Sequence, residues 1–124
     1  IWENSSVGMR NGDGFTRQSP HLKPEIVAPG HQIISTGNDN RWYTSSGTSD
    51  STVFVAGALA LLLEANPLLR PNSQSDGSCI DIVKEALMTS AQSIGQGEGH
   101  HPYAGYGLLD AQKWIDSIPS ESSC

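Results

Sequence analysis

Residues 46–65 read SGTSDSTVFVAGALALLLEA and give the strongest indication of the fold. A helix is predicted from about Thr48 to Ala65, because Pro67 follows just after its end. Apolar side chains cover every face of this helix, so no polar stripe remains to face water. We therefore expect a helix buried in the centre of a domain, with small residues between 56 and 60 that let neighbouring backbones approach closely.

Short strands are predicted before this helix, each a brief apolar or β-branched run bounded by turn residues. They cover residues 26–28, 32–35 and 41–45, and Asn38-Asp39-Asn40 forms a turn. The predicted strands are too few and too short to cover an apolar helix of this length. The missing surface must come from another part of the protein, which agrees with a chain that begins at Ile1 without a visible signal peptide.

Two amphipathic helices are predicted after residue 77. Ser78 is the expected N-cap of the first, with Asp81 as its acidic capping-box partner. The second is short and runs from about Asp110 to Ser117, before a polar tail. No internal repeat and no domain boundary divide the chain.

The composition is that of a loop-rich globular protein: 36% of the 124 residues are hydrophobic and 16% are charged. The net charge of −6 and the scattered Lys and Arg residues make nucleic acid a poor partner, because phosphates need a basic patch. The apolar run from Val53 to Leu63 is too short to span a membrane. Cys79 and Cys124 could pair or remain unpaired, so the redox compartment stays undecided.

The run Ser46-Gly47-Thr48-Ser49 could carry chemistry. The glycine permits a tight approach of the backbone, and the serine then lies in the first turn of a helix. Free N–H groups and the positive end of the helix dipole there favour a developing oxyanion. The alternative is that Thr48 or Ser49 only caps a buried helix.

Five ordered segments resemble the subtilisin-like serine peptidases, or subtilases. KPEIVAPG resembles the segment before their nucleophile, and Gly47-Thr48-Ser49 followed by Val55-Ala56-Gly57 resembles their serine motif. The other three segments cover residues 5–8, 85–91 and 105–111. The order and the spacings agree from about Ile1 to Ile118. The related sedolisins share a similar Gly-Thr-Ser motif, but the first segment favours the subtilases.

The resemblance implies that Ser49 is the catalytic nucleophile and that its backbone N–H is one oxyanion donor. It implies an α/β fold with three layers, mostly parallel sheet with a central buried helix. Residues 1–118 would be the C-terminal portion of the catalytic domain, and 119–124 a flexible tail. The family's Asp, His and oxyanion Asn lie N-terminal to this region, so the expected partners are the N-terminal remainder of the domain and a polypeptide substrate.

The resemblance also implies a secreted or extracytoplasmic protein, and calcium is possible by resemblance alone. No cofactor or metal site is evident from the residues. The four histidines, at 21, 31, 100 and 101, are expected to be surface loop residues, and adjacent ones such as His100 and His101 rarely face one zinc ion.

The serine motif departs from the family after Ser49. The family's usual Met-Ala-Thr-Pro-His is replaced by the residues from Asp50 to Phe54, so Val53 stands for proline and Phe54 for histidine. Asp50 either stabilises the start of the helix or favours a basic residue on the leaving side of the scissile bond. The departures leave open a second function, a non-catalytic subtilase that acts as a binding or structural module.

Overall fold

The computed structural model describes residues 3–6, 22–70, 77–95 and 97–119. His21, Cys124 and the predicted tail beyond residue 119 lie outside the described residues. Two strands, three α-helices and two 3₁₀ turns follow in this order: β1 Ile33–Thr36, the turn Asn38–Asn40, β2 Trp42–Ser45, α1 Thr48–Ala65, the turn Pro67–Leu69, α2 Cys79–Ser90 and α3 Ala111–Ser117.

The two strands form an antiparallel hairpin. Ile33 pairs with Ser45 at one end of the register, and Thr36 pairs with Trp42 at the other. Asp39 and Asn40 adopt positive φ angles in the connection, a conformation that short polar side chains tolerate. The hairpin ends at Ser45, so its last residue leads directly to the start of α1.

The predicted parallel sheet is not present among the described residues. The segment predicted as a strand over 26–28 makes only a single parallel bridge, in which Val27 lies beside Leu108. Two backbone hydrogen bonds hold this bridge: Val27 N donates to Gly107 O at 2.8 Å, and Leu109 N donates to Val27 O at 2.8 Å. A segment with one such contact lacks the neighbouring strands that would extend it into a sheet.

Helix α1 has the predicted bounds but not the predicted burial within this chain. Ala58 and Leu62 are its buried residues, whereas Val53 is 65% exposed and Leu61 is 56% exposed. The reason is that the described chain packs against one side of the helix only. By length and composition alone, the 18 residues of α1 could cross a membrane. The apolar run from Val53 to Leu63 is shorter than the whole helix, so it gave too short a length. The core helix of a soluble protein passes the same test.

A small core lies where the helices meet the turn after α1. Leu62, Leu69 and Trp114 are almost fully buried there, and Leu87 and Ile118 belong to the same cluster. The indole Nε1 of the tryptophan donates a hydrogen bond to the carbonyl oxygen of Val83 at 3.0 Å, which ties α3 to α2. Burying these side chains supplies most of the cohesion of this part of the chain.

The two helix starts after residue 77 differ from each other. Asp110 caps α3 as expected for an N-cap residue, because its carboxylate accepts a hydrogen bond from Lys113 N at 2.9 Å. The predicted capping box at Ser78 is wrong. The backbone of Ser78 is already helical, with φ −58° and ψ −29°, and its side chain makes no capping hydrogen bond.

Candidate active site

Ser49 is the second residue of α1 and its side chain is exposed. Gly47 precedes the helix in extended conformation and accepts hydrogen bonds from the backbone N–H groups of Asp50 and Ser51, at 3.2 and 3.4 Å. Among the described residues, nothing accepts the N–H of Ser49 or bonds to its hydroxyl. Both groups therefore face outward at the positive end of a helix, where an anion is stabilised.

The segment from Ala28 to Gly30 supports the start of α1 from behind. Gly47 N donates to Gly30 O at 2.7 Å, and Ser51 Oγ donates to Ala28 O at 2.9 Å. A Cβ atom at Gly30 would lie 2.2 Å from Ser51 Oγ and 2.6 Å from Gly47 O. Only a glycine permits this approach, so residues 28–30 fix the position of the start of α1, where Ser49 lies.

The end of the hairpin supports the start of α1 from the other side. The Ser45 hydroxyl donates a hydrogen bond to Oδ1 of Asp50. The Ser46 hydroxyl accepts a hydrogen bond from Gln32 N at 2.8 Å, and it lies 3.3 Å from His31 Nδ1. Residues 45–51 are thus held by contacts to residues 28–32 and by the bond between Ser45 and Asp50.

None of the described histidines lies against the Ser49 hydroxyl. His31 contacts Ser46, while His100 Nε2 donates to Pro24 O at 2.9 Å. His101 Nδ1 accepts a hydrogen bond from Tyr103 N at 3.2 Å. The described residues also contain no group of three His, Cys, Asp or Glu side chains that could hold a metal ion. A base for Ser49 is absent from the part of the chain that the structure describes.

A groove of about 530 Å³ lies next to the nucleophile motif. Its lining includes Thr48, Ser51 and Val55 of α1, together with Ala28 and His31 from the stretch that contacts the start of α1. Ser49 is not among its lining residues. The groove thus borders the start of α1, and Ser49 lies outside it.

A second polar cluster, formed by Glu25, Lys23 and Lys84, lies where the loop before α3 contacts the residues that precede Ala28. Glu25 pairs with Lys84 at 2.8 Å and with Lys23. Burial acts to raise the pKa of Glu25, but the hydrogen bonds from the two lysines outweigh it and hold this pKa below its ordinary value. A Cβ at Gly105 would lie 2.3 Å from Glu25 O, so a glycine is needed at this contact as well.

Sequence reasoning placed Ser49 but missed the groups that support it. The hydroxyls of Ser45 and Ser51 and the close approach at Gly30 involve partners five to 23 residues away. The proline and glycine of the APG segment signalled only a turn. The partners of Asp50 and Glu25 had no signal in the sequence, because each depends on how separate segments meet.

The site contains an exposed serine, Ser49, at the start of a helix, and comparison with known families identifies the class of protein. Residues 7–107 match the family model Peptidase_S8, described as the subtilase family. The match covers most of the chain, so the chain belongs to the subtilase family.

Individual relatives are peptidases of much greater length. The chain is 35% identical to the PII-type proteinase of Lacticaseibacillus paracasei over 88% of its own residues, which is 6% of that protein. It is 34% identical to the C5a peptidase of Streptococcus pyogenes serotype M18 over 75% of its residues, or 8% of that protein. The chain thus spans less than a tenth of these relatives.

A solved structure gives the same result for the fold. The Clostridium perfringens CspB protease superimposes with a TM-score of 0.64 at 26% sequence identity. The match covers 89% of this chain and 22% of that one. The described arrangement is therefore a part of a subtilase fold rather than a separate one.

Proposed function

We propose that residues 1–118 form the C-terminal portion of the catalytic domain of a serine endopeptidase, with Ser49 as its nucleophile. The observation that carries the proposal is the placement of Ser49. Its hydroxyl and its N–H both face outward at the start of α1, while the residues around it are fixed from two sides. A helix cap would need its hydroxyl turned back to the helix, and Ser49 makes no such bond.

The chemistry follows from these two groups. The Ser49 oxygen attacks the carbonyl carbon of a peptide bond, and its proton passes to a base outside the described residues. The Ser49 N–H helps to stabilise the negative charge on the carbonyl oxygen. The C–N bond then breaks, the amine leaves with the proton, and water hydrolyses the acyl-enzyme ester to restore the serine.

The N-terminal remainder of the domain supplies the other groups in this proposal. They are the base His, its orienting Asp and the oxyanion Asn of the family. The remainder also supplies the other strands of a three-layer, mostly parallel α/β fold, and it covers the exposed apolar faces of α1, which then becomes the central buried helix. The substrate is a polypeptide, and the surroundings are extracytoplasmic.

Hydrolysis by the full-length protein tests the proposal. We expect cleavage of an unfolded polypeptide substrate, and we expect Ser49→Ala to abolish it. Ser35→Ala is the control, because Ser35 is an exposed serine of the neighbouring hairpin and does not contact the site. Cleavage that survives Ser49→Ala would show that the nucleophile lies elsewhere.

A non-catalytic module is the second candidate, and the residues after Asp50 favour it. Phe54 stands at the family's histidine position, and its apolar ring cannot make the hydrogen bond that a histidine would make. A folded full-length protein that shows no Ser49-dependent cleavage, yet binds unfolded polypeptide, would support this candidate over the enzyme.

A further inference from the structure

Ser45 and Asp50 lie on either side of the nucleophile motif. Ser45 ends β2 and Asp50 belongs to the first turn of α1. The hydroxyl of Ser45 donates a hydrogen bond to Oδ1 of Asp50, and both residues are half-buried. This bond closes a loop around residues 46–49, which include the nucleophile.

We propose that Ser45 and Asp50 form a positioning pair, which holds Ser49 in the geometry needed for attack. The inference rests on the proposed function of Ser49. The backbone bond from Gly47 to Gly30 and the bond from Ser51 to Ala28 fix the buried side of the motif. The Ser45–Asp50 bond fixes its other side, by joining the strand that enters the motif to the helix that leaves it.

The effect of such a pair follows from how sensitive attack is to position. The nucleophilic oxygen must approach the carbonyl carbon closely and in line, and a misplacement of about 1 Å costs on the order of 100-fold in rate. Exposed residues such as Thr48 and Ser49 have few neighbours in this chain to restrain them. A hydrogen bond that spans them limits the motion of the backbone between its ends.

The other role considered for Asp50 is a charge that attracts a basic side chain of the substrate. Its Oδ1 atom already accepts the Ser45 hydroxyl. No ion pair joins Asp50 to a lysine or arginine among the described residues, where Glu25 is the carboxylate that pairs with lysines. The bond therefore favours a geometric role over an electrostatic one, and the two roles predict different variants.

The test measures kcat, KM and the rate of labelling by a fluorophosphonate in the full-length protein. We expect Ser45→Ala and Asp50→Ala each to lower kcat and the labelling rate about tenfold, with KM changed less than twofold. The double variant is expected to lose no more than either single one, because both remove the same bond. Ser45→Thr and Asp50→Asn keep a donor and an acceptor, so each is expected to recover most of the loss.

Asp81→Ala is the matched control. Asp81 is the acidic residue in the first turn of α2, as Asp50 is in α1. Its substitution is expected to weaken a helix start by a similar amount and to leave kcat and labelling within twofold. A loss equal to that of Asp50→Ala would mean that general helix stability explains the effect, and the positioning pair would be wrong.

The remaining outcomes separate the two proposals. Wild-type protein without Ser49-dependent labelling overturns the function and the pair together. Normal labelling in the wild type and in Ser45→Ala overturns the pair alone. If Ser45→Ala does not fold, the contrast between Asp50→Asn and Asp50→Ala decides. If Asp50→Asn and Asp50→Ala lose equal activity, mainly on substrates with a basic residue on the leaving side of the scissile bond, then Asp50 acts through its charge and the positioning pair is wrong.

Discussion

The first turn of α1 and the rest of that helix are supported in different ways. The first turn is fixed within the chain, through Ser51 to Ala28 and through Asp50 to Ser45. Further along the helix, Leu62 is fully buried whereas its neighbour Leu61 is 56% exposed. The position of Ser49 thus depends on local hydrogen bonds, whereas burial of the rest of α1 depends on surface that the described residues do not supply.

The largest expected effect is the loss of all activity in the isolated 124-residue chain. Its described residues provide no base for Ser49, and a serine without a base has little driving force to lose its proton. We also expect no cooperative thermal unfolding, because large apolar side chains of α1 remain exposed to water. Calorimetry and peptide cleavage by the purified monomer check both points. Ser49-dependent turnover would show that the isolated chain already contains a base for Ser49. A cooperative melt would show that α1 does not need further surface to be buried.

A charge on the exposed side of α1 is the next largest change. In the full-length protein we expect Leu61→Asp to lower the free energy of unfolding by roughly 3–5 kcal/mol, because the remainder of the domain would bury the charge unpaired. Ser93→Asp is the control, since it adds the same charge at an exposed position of the loop after α2. Chemical denaturation measures both. An equally small effect of the two variants would mean that Leu61 stays exposed in the whole protein.

A substitution at Gly30 tests whether local contacts position the first turn of α1. We expect Gly30→Ala to destabilise the full-length protein by about 1–3 kcal/mol, as overpacking does, and to reduce the cleavage rate further by moving Gly47 and Ser51. Ser35→Ala, on the exposed face of β1, serves as the control. Wild-type kinetics in Gly30→Ala would show that the nucleophile does not depend on this contact.

The smallest expected effect is a pH dependence at Glu25. Because the pKa of Glu25 is lowered in the folded state, the stabilisation is fully present above the ordinary glutamate pKa of 4.5 and is lost as the pH falls through the folded pKa. The loss is at most about 1 kcal/mol, as for other partly exposed ion pairs. Glu25→Gln should flatten the stability profile in this acidic range. An unchanged profile would show that the lysine pairs do not contribute.

Sequence reasoning succeeded where a feature depends on neighbouring residues. The bounds of α1 follow from its apolar run and from Pro67, and the hairpin follows from Asn38-Asp39-Asn40. It failed at Ser78, where the helix begins without the expected cap. The predicted parallel sheet is not confirmed by the described residues, whose sheet has two strands, because parallel strands need neighbours from elsewhere in the domain.

The supporting contacts of the site could not be predicted for a related reason. Gly30 and Ser51 meet because two segments fold back on each other, and a glycine in a turn motif does not say which side chain will approach it. The Ser45–Asp50 bond likewise depends on the angle between β2 and α1. The resemblance predicts the role of Ser49, and the structure adds the groups that hold the residues around it.

Mass spectrometry of the full-length protein after reaction with a fluorophosphonate shows which serine acts as the nucleophile. We predict a single covalent adduct on the peptide that contains Ser49, and no adduct in Ser49→Ala. The neighbouring hydroxyls of Ser45, Ser46 and Ser51 should remain unmodified, because each is engaged in a hydrogen bond. An adduct on any other serine, or no adduct on a folded protein, would contradict the assignment of Ser49 as the nucleophile.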